Sequence, residues 1–443
     1  MKALRWLMPG LGVKRWLGLF LIGVAFIAAG SALALQAHVL GRIETSLVTS
    51  LYFLTGRFLP PWVLGLLAAA VGAFLMYYSI RRLLGSLLTA VVPRGTRVAE
   101  TVLLHKQLER GPRIVAIGGG TGLSTLLRGL KEYTSNLTAI VTVTDDGGSS
   151  GRLRDEMGVL PPGDFRNCIV ALADTEPLME KLFQYRFTSG GDLSGHSLGN
   201  LFIAALTDIS GDFEEALRQA SKVLAVRGRV IPSTTANVRL RARYADGTIV
   251  DGESRIPRRG EKLASIGLVP ERPRPLADAL RAIERADAII LGPGSLYTSI
   301  IPNLVVPGIV EAIRRSRATV IYVANVMTQP GETEGYSAAD HLQAIIDHSA
   351  RGLVDVVLVN TAPIKPQLLS SYRSEGAEPV LPAVRELEAL GVDVVRDALV
   401  SQTEVVRHEP ARLAAAVMDI LAARAAHSGA RASRRSFLRR HRG

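Results

Sequence analysis

Two long apolar runs open the chain, and short apolar runs alternating with helical periodicities fill the rest. Residues 16–35 and 59–80 carry no charge over 20 and 22 positions, each long enough to cross a bilayer as a helix. From Arg113 the pattern changes. The runs 114–117, 137–143, 288–291, 319–323 and 354–359 are short, rich in β-branched residues and closed by polar or Gly-rich stretches, as buried parallel strands are. Between them, 123–130, 168–173 and 276–285 have helical spacing. Strands alternating with helices predict an α/β fold, a Rossmann-like doubly wound, mostly parallel sheet over residues 113–423. Residues 223–275 depart from this rhythm. There 238–244 and 248–256 alternate around Asp246-Gly247, a hairpin turn that predicts a small β insertion.

Charge sharpens the division. The formal net charge is +12, but residues 1–110 carry +9, the tail from Arg424 carries +7, and the body between them is −4. A mildly acidic body argues against a nucleic-acid-binding core, and basic ends point to anionic lipid. Lys2, Arg5, Lys14 and Arg15 precede the first apolar run; Arg81, Arg82, Arg94 and Arg97 follow the second; only Arg42, Glu44 and Arg57 lie between. The positive-inside rule then predicts a transmembrane hairpin over 1–80, with both termini in the cytoplasm. A cleaved signal peptide and a buried helical pair are the alternatives; the first is opposed by the length of the run and the second span behind it. Neither run holds an ionisable residue for a transport path, so the hairpin reads as an anchor. Residues 81–112 form a basic linker and 424–443 a basic, disordered tail. The single cysteine, Cys168, excludes an internal disulfide framework, and no Cys/His cluster has zinc spacing.

The candidate chemistry lies where apolar runs end. Ile114-Val-Ala-Ile-Gly-Gly-Gly-Thr-Gly-Leu-Ser-Thr125 reads strand, glycine turn, helix, a geometry that aims helix N-terminal N–H groups at an anion. Gly118, Gly119, Gly120, Thr121 and Gly122 are the expected phosphate cradle. It is no Walker A loop, since no Lys-Ser/Thr follows, and Leu123 replaces the third glycine of a dinucleotide fingerprint. A tight turn that binds nothing is the competing reading. The next apolar run ends in Thr144-Asp-Asp-Gly-Gly-Ser-Ser-Gly151, and two polar loops at successive strand ends mark the crevice where open α/β sheets bind ligands.

Asp145 and Asp146 can accept a sugar hydroxyl or together hold Mg²⁺; a helix cap, or pairing with Arg152 or Arg154, explains them equally well. Ser149, Ser150 and Arg154 lie on the same loop, Arg154 being a pyrophosphate partner by type. Pro162-Gly-Asp-Phe-Arg-Asn167 offers Gly163, Asp164, Arg166 and Asn167, with a simple N-terminal cap as the alternative for Asp164. Gly190-Gly-Asp-Leu-Ser-Gly-His-Ser-Leu-Gly-Asn200 adds His196 and Asn200, and Gly292-Pro-Gly-Ser-Leu-Tyr-Thr298 adds Gly294, Ser295, Tyr297 and Thr298. His196 can serve a phosphate or act as an acid, or do neither; Tyr297 can stack on a base or simply be a buried ring. No nucleophilic triad or lysine-based engine stands out.

Together with Met327-Thr-Gln-Pro-Gly-Glu-Thr333, these motifs resemble the YvcK family of bacterial gluconeogenesis factors, relatives of the 2-phospho-L-lactate transferases of coenzyme F420 synthesis. The resemblance covers about residues 113–420. It implies a Rossmann-like body that binds a UDP-sugar, chiefly UDP-N-acetylglucosamine, and a role in cell shape and peptidoglycan precursor supply during gluconeogenic growth. By motif it places Gly119 to Gly122 on the phosphates, Asp145, Asp146 and the 164–167 loop along the site, and Asn200, Tyr297 and Thr298 on nucleotide or sugar. Many members of the family lack an anchor. The hairpin makes the expected location the bacterial cytoplasmic membrane, two-pass, with the globular domain inside.

The expectation is therefore a membrane-anchored UDP-sugar-binding protein that needs no cofactor, assembles as a homo-oligomer and acts through a cell-wall synthesis or regulatory partner. The alternative is a Mg²⁺-dependent transferase of the 2-phospho-L-lactate type working on a nucleotide-linked donor. An NAD-dependent oxidoreductase rests only on a glycine loop plus a strand-end Asp and is the weakest of the three.

Overall fold

The computed structural model describes residues 13–34, 61–91, 103, 106–174, 177–258, 263–402 and 406–440. The chain divides into an N-terminal unit, residues 1–105, and a body, residues 106–443.

The N-terminal unit consists of helices α1 (Val13–Ala34) and α2 (Pro61–Val91). They run antiparallel, with Trp16 edge-on to Tyr78 at 6.0 Å and Gly30 packed against Gly65 and Ala69. A Cβ on Gly72 would lie 2.6 Å from the Gly23 carbonyl, so the two backbones touch, as small residues allow between helices in lipid. The outward face is apolar, with Leu21, Ile22, Leu66 and Phe74 exposed. The segments Arg15–Leu33 and Trp62–Leu83 have mean hydropathies of 2.1 and 2.0 and are long enough to cross a membrane. Helix α2 continues 11 residues past the expected end of the hairpin at 80, because Leu83, Leu84, Leu87 and Leu88 maintain a helix-favouring sequence. The flanking charges Lys2, Arg5, Arg94 and Arg97 and the connecting loop lie outside the described residues.

The body is built on a seven-stranded sheet in the order β10-β9-β8-β7-β1-β2-β3, with every pairing parallel. Its strands are β1 (Ile114–Gly118), β2 (Leu137–Val141), β3 (Arg229–Pro232), β7 (Ala288–Leu291), β8 (Thr319–Val323), β9 (Val356–Asn360) and β10 (Asp393–Asp397). Helices α3 (Gly120–Leu130), α4 (Gly148–Met157), α5 (Gly163–Leu172) and α6 (Leu198–Ser210) supply most of the site-forming loops. β1 and β7 are buried along their whole length, which is why they read as unbroken apolar runs rather than alternating ones. The chain moves outward from β1 to β2 and β3, then returns to β7 on the other side of β1. The boundary between β1 and β7 is thus the topological switch point of the sheet.

The β insertion is smaller than its sequence boundaries. The boundaries 223–275 enclose β3, which instead pairs in parallel with β2, Ala139 opposite Val230. Its Arg-Val-Ile-Pro run is too short to separate from its neighbours by pattern. What remains is an antiparallel sheet of β4 (Arg239–Tyr244), β5 (Ile249–Asp251) and β6 (Leu263–Val269), in the order β5-β4-β6, with the expected hairpin at Asp246-Gly247. A two-stranded ladder, β11 (Val400–Gln402) with β12 (Val406–His408), precedes the last helix. That helix, Pro410–Arg440, extends through most of the segment expected to be disordered. Its Ala- and Arg-rich sequence has high helix propensity, which outweighs the charge repulsion.

Candidate nucleotide-binding cleft

A cleft of about 420 Å³ opens at the carboxyl end of the sheet, directly over the β1/β7 switch point. One wall is the Gly-rich turn. Gly120 adopts φ +64° and α3 starts there, with Thr121, Gly122 and Thr125 facing the cleft. The opposite wall is the turn after β7, with Gly294, Ser295, Thr298 and Ser299. The two walls meet closely: a Cβ on Gly122 would stand 2.5 Å from the Pro293 carbonyl oxygen. Asn303 locks this arrangement from below, its Nδ2 donating to the carbonyls of Gly118 and Ser299 at 3.1 and 2.8 Å.

Three carboxyl groups enter the cleft from three elements. Asp145 comes from the loop after β2, Asp164 from the first turn of α5, and Glu253 from the short helical segment Glu253–Arg258 of the insertion. Burial raises the Asp145 pKa, against the Gly147 N–H and Ser150 hydroxyl that favour its charged form. Asp164 is pushed up to about 7 by burial and then by the charge of Asp145, despite an N–H from Gly120 and the nearby Arg166. Glu253 is pushed up to about 8 by burial, then by Asp145, Glu332, Asp146 and Asp164. Carboxyl groups held this close to neutrality are suited to meeting a cation or sharing a proton.

The cleft also has a cationic and an apolar side. Arg407 and His408 on β12 line it together with Tyr372, Val326, Met327 and Val406. His408 is buried; it bonds the Ala324 carbonyl, and its Nε2 has no partner among the described residues. The imidazole therefore donates through Nδ1 and presents Nε2 as an acceptor. Burial lowers its pKa to about 4, so this acceptor stays neutral at physiological pH.

Nine of the sequence-predicted residues line the cleft: Gly119, Gly120, Thr121, Gly122, Asp145, Asp164, Gly294, Ser295 and Thr298. Others brace them. Gly118 closes β1, its carbonyl accepting from the Thr142 N–H at 3.1 Å. Ser150 accepts from the Gly163 N–H at 3.1 Å and donates to Asp145. Asp146 faces away, accepting the Ser254 N–H at 2.8 Å.

The rest lie outside the lining and are occupied elsewhere. Ser149, His196 and Asn200 form a buried network, Ser149 Oγ lying 2.9 Å from His196 Nδ1 and 3.1 Å from Asn200 Nδ2. Arg166 donates to Ser197 Oγ and to Asn167 Oδ1. Arg154, expected to meet a pyrophosphate, instead donates to Asn237 Oδ1 and the Val238 carbonyl, each at 2.5 Å, pinning the insertion. Tyr297, expected on nucleotide or sugar, turns its ring towards Tyr336, with the hydroxyls 3.0 Å apart.

Sequence reasoning missed Glu253, Asn325, Gln329, Tyr372, Arg407 and His408. Asn325 follows the end of β8 as Asp145 follows β2, so the strand-end rule was enough to find it. Arg407 and His408 sit on a three-residue strand with no glycine loop to mark it.

The family model for the 2-phospho-L-lactate transferase CofD matches residues 114–400. Gluconeogenesis factors from Halalkalibacterium halodurans and Bacillus subtilis are 53% and 51% identical, over 69% and 70% of this chain and 95% and 98% of their own lengths. A relative from Nostoc sp. is 48% identical over 415 residues, 93% of this chain and 91% of its own; that match therefore extends into the N-terminal unit. A crystal structure of a UPF0052 family member from Bacillus halodurans superimposes with a TM-score of 0.68 at 52% identity, over 70% of this chain and 99% of that one. The fold, the glycine turn at the switch point and these matches agree: the chain belongs to the CofD family, among its gluconeogenesis factors of the YvcK type.

Proposed function

We propose that the cleft binds a UDP-sugar, with UDP-N-acetylglucosamine as the preferred ligand, and that the protein reports its level without turning it over. The observation that carries this reading is the pairing, in one cleft, of the glycine turn opening α3 with Arg407. Helix N-terminal N–H groups and a guanidinium together suit a diphosphate. Tyr372 and Met327 offer a base an apolar surface. Among the described residues the lining holds no cysteine or lysine and no serine paired to a histidine, which favours binding over covalent chemistry.

The family name and the acidic side of the cleft support a second reading, transfer from a nucleotide-linked donor with Mg²⁺. Among the described residues no three His, Cys, Asp or Glu side chains converge to hold a metal ion. Mg²⁺ commonly takes only one or two carboxylates and completes its shell with phosphate and water, and Asp145 and Asp164 fit that role. Bound there, the ion would supply charge neutralisation at the phosphates; the chain's own part is to hold those carboxylates and the glycine N–H groups in place.

Incubating the protein with UDP-N-acetylglucosamine, with Mg²⁺ or with EDTA, and separating nucleotides by chromatography distinguishes the two. Intact ligand, bound equally well in EDTA, supports the sensor. Release of UDP that requires Mg²⁺ supports the transferase.

The anchor extends the proposal. α1 and α2 hold the cleft-bearing body at the bacterial cytoplasmic membrane, with the basic flanks on the inner face, where lipid-linked wall precursors are made. The proposal includes a role in cell shape and precursor supply through a protein partner. Loss of membrane association on deleting residues 1–91, with loss of normal cell shape on gluconeogenic carbon, is the expected outcome; full function of the deleted protein in the cytosol contradicts the anchor's role.

A further inference from the structure

A second cavity, of about 800 Å³, lies behind the turn that forms one wall of the cleft. Tyr297 lines this cavity while Ser295 and Thr298 line the cleft, so the π-helical turn Leu296–Ile300 separates the two. Among the described residues the cavity wall contains no lysine or arginine. Its histidine, His348, accepts the Ile266 N–H through Nε2 at 3.0 Å and bonds the Ala344 carbonyl through Nδ1 at 2.7 Å, so both ring nitrogens are occupied. The other polar side chains of the lining are the Gln343 amide, four carboxyl groups and two phenols.

The buried member is Glu332, 7% exposed. Its Oε1 accepts the Thr298 hydroxyl at 3.3 Å, whereas Oε2 has no partner among the described residues. A buried carboxylate oxygen without a donor is an uncompensated desolvation. Glu334 and Asp347 line the same cavity but are exposed. Each serves one local donor, the Gly331 N–H and Gln343 Nε2, which leaves carboxylate lone pairs over. The lining thus sets the buried Glu332 carboxyl against three exposed ones, Glu334, Asp340 and Asp347, beside the rings of Tyr297 and Tyr336; Asp340 is held by the Ser337 N–H and hydroxyl. No three of these groups converge as metal ligands do. Separated anionic ends joined by aromatic surface suit an organic cation with two charges.

We infer that this cavity is a second binding site, for a small diammonium ion of the polyamine class. One ammonium bonds Glu332 Oε2, the other meets Glu334 and Asp347, and the methylene chain lies against the tyrosines.

The test is a calorimetric titration of the full chain in detergent micelles with 1,4-diaminobutane, using 1,4-butanediol as the neutral isostere. The result expected is saturable one-to-one binding of the diamine, none of the diol, and binding about tenfold or more weaker in Glu332→Gln. Gln keeps an oxygen for Thr298, and circular dichroism verifies that the variant folds. Asp347→Asn, on an exposed residue, gives an independent loss of about threefold or more. Asp145→Asn in the neighbouring cleft leaves diamine binding in place. The inference is overturned by absent saturation, by equal binding of the diol, by wild-type affinity in both Glu332→Gln and Asp347→Asn, or by loss of binding in Asp145→Asn.

Discussion

The Asp146 carboxylate accepts the Ser254 backbone N–H at 2.8 Å, and through that bond the strand-end loop of the main sheet holds a segment of the insertion. Glu253, one residue earlier, is thereby carried into the cleft beside Asp145. Gly252 makes the approach possible: it sits at φ +110°, and a Cβ there would stand 2.7 Å from Asp146 Oδ2. The two consecutive aspartates thus divide the work, Asp145 facing the cleft and Asp146 facing structure. Asp146→Ala should lower stability by about 1–3 kcal/mol by leaving the Ser254 N–H unpaired. Denaturant titration measures it; an unchanged midpoint contradicts the link.

The acidic cluster sets a pH dependence whose sign is fixed. A carboxyl with a folded-state pKa above its unfolded value makes the native state the better proton binder. Its contribution to stability is complete below the unfolded value and is lost as pH rises through the folded one. The window runs from 3.8 to about 7 for Asp164 and from 4.5 to about 8 for Glu253. The thermal midpoint should therefore fall between about pH 5 and about pH 8.5, less steeply in Asp164→Asn. Mg²⁺ should restore more of it at the alkaline end. Identical slopes in wild type and variant contradict the assignment.

Arg407→Ala should weaken UDP-N-acetylglucosamine by about ten- to a hundredfold, since a charge-assisted bond to phosphate contributes about 1.5–3 kcal/mol. The wild-type affinity should fall with salt more steeply than the variant's. A variant that binds as tightly as wild type places the phosphates elsewhere.

The buried Ser149–His196–Asn200 network lies outside the cleft lining and should support the fold rather than the ligand. Ser149→Ala should cost about 1–3 kcal/mol of stability and leave ligand affinity within about twofold. Thermal unfolding and binding, measured on the same sample, separate the two effects. A large affinity loss with stability intact would return His196 to the binding surface.

Much of this was legible in the sequence because parallel strands buried on both faces read as plain apolar runs. β1, β2, β7, β8 and β9 were all visible, and the glycine turn after β1 marked the cleft. β10 was not, because Asp393–Asp397 is a largely exposed edge strand with charges at both ends and at Arg396. Motif residues such as Arg154, Arg166 and Tyr297 looked like ligand contacts because polar side chains in glycine-rich loops serve structure and binding equally well. Only packing distinguishes them. Glu253 and Arg407 reach the cleft from elements distant in sequence, and no local pattern encodes that meeting.

The central claim is that the turn opening α3 receives the diphosphate of a nucleotide sugar. Its most direct test is calorimetric titration of the full chain with UDP-N-acetylglucosamine in EDTA, repeated with Gly120→Val. Gly120 adopts φ +64°, a conformation a β-branched residue does not tolerate, so the variant displaces the N–H groups at the turn. Saturable binding in wild type, abolished in a variant that still unfolds cooperatively, is the result predicted. Absence of binding in wild type, or equal binding in a folded Gly120→Val protein, would contradict it.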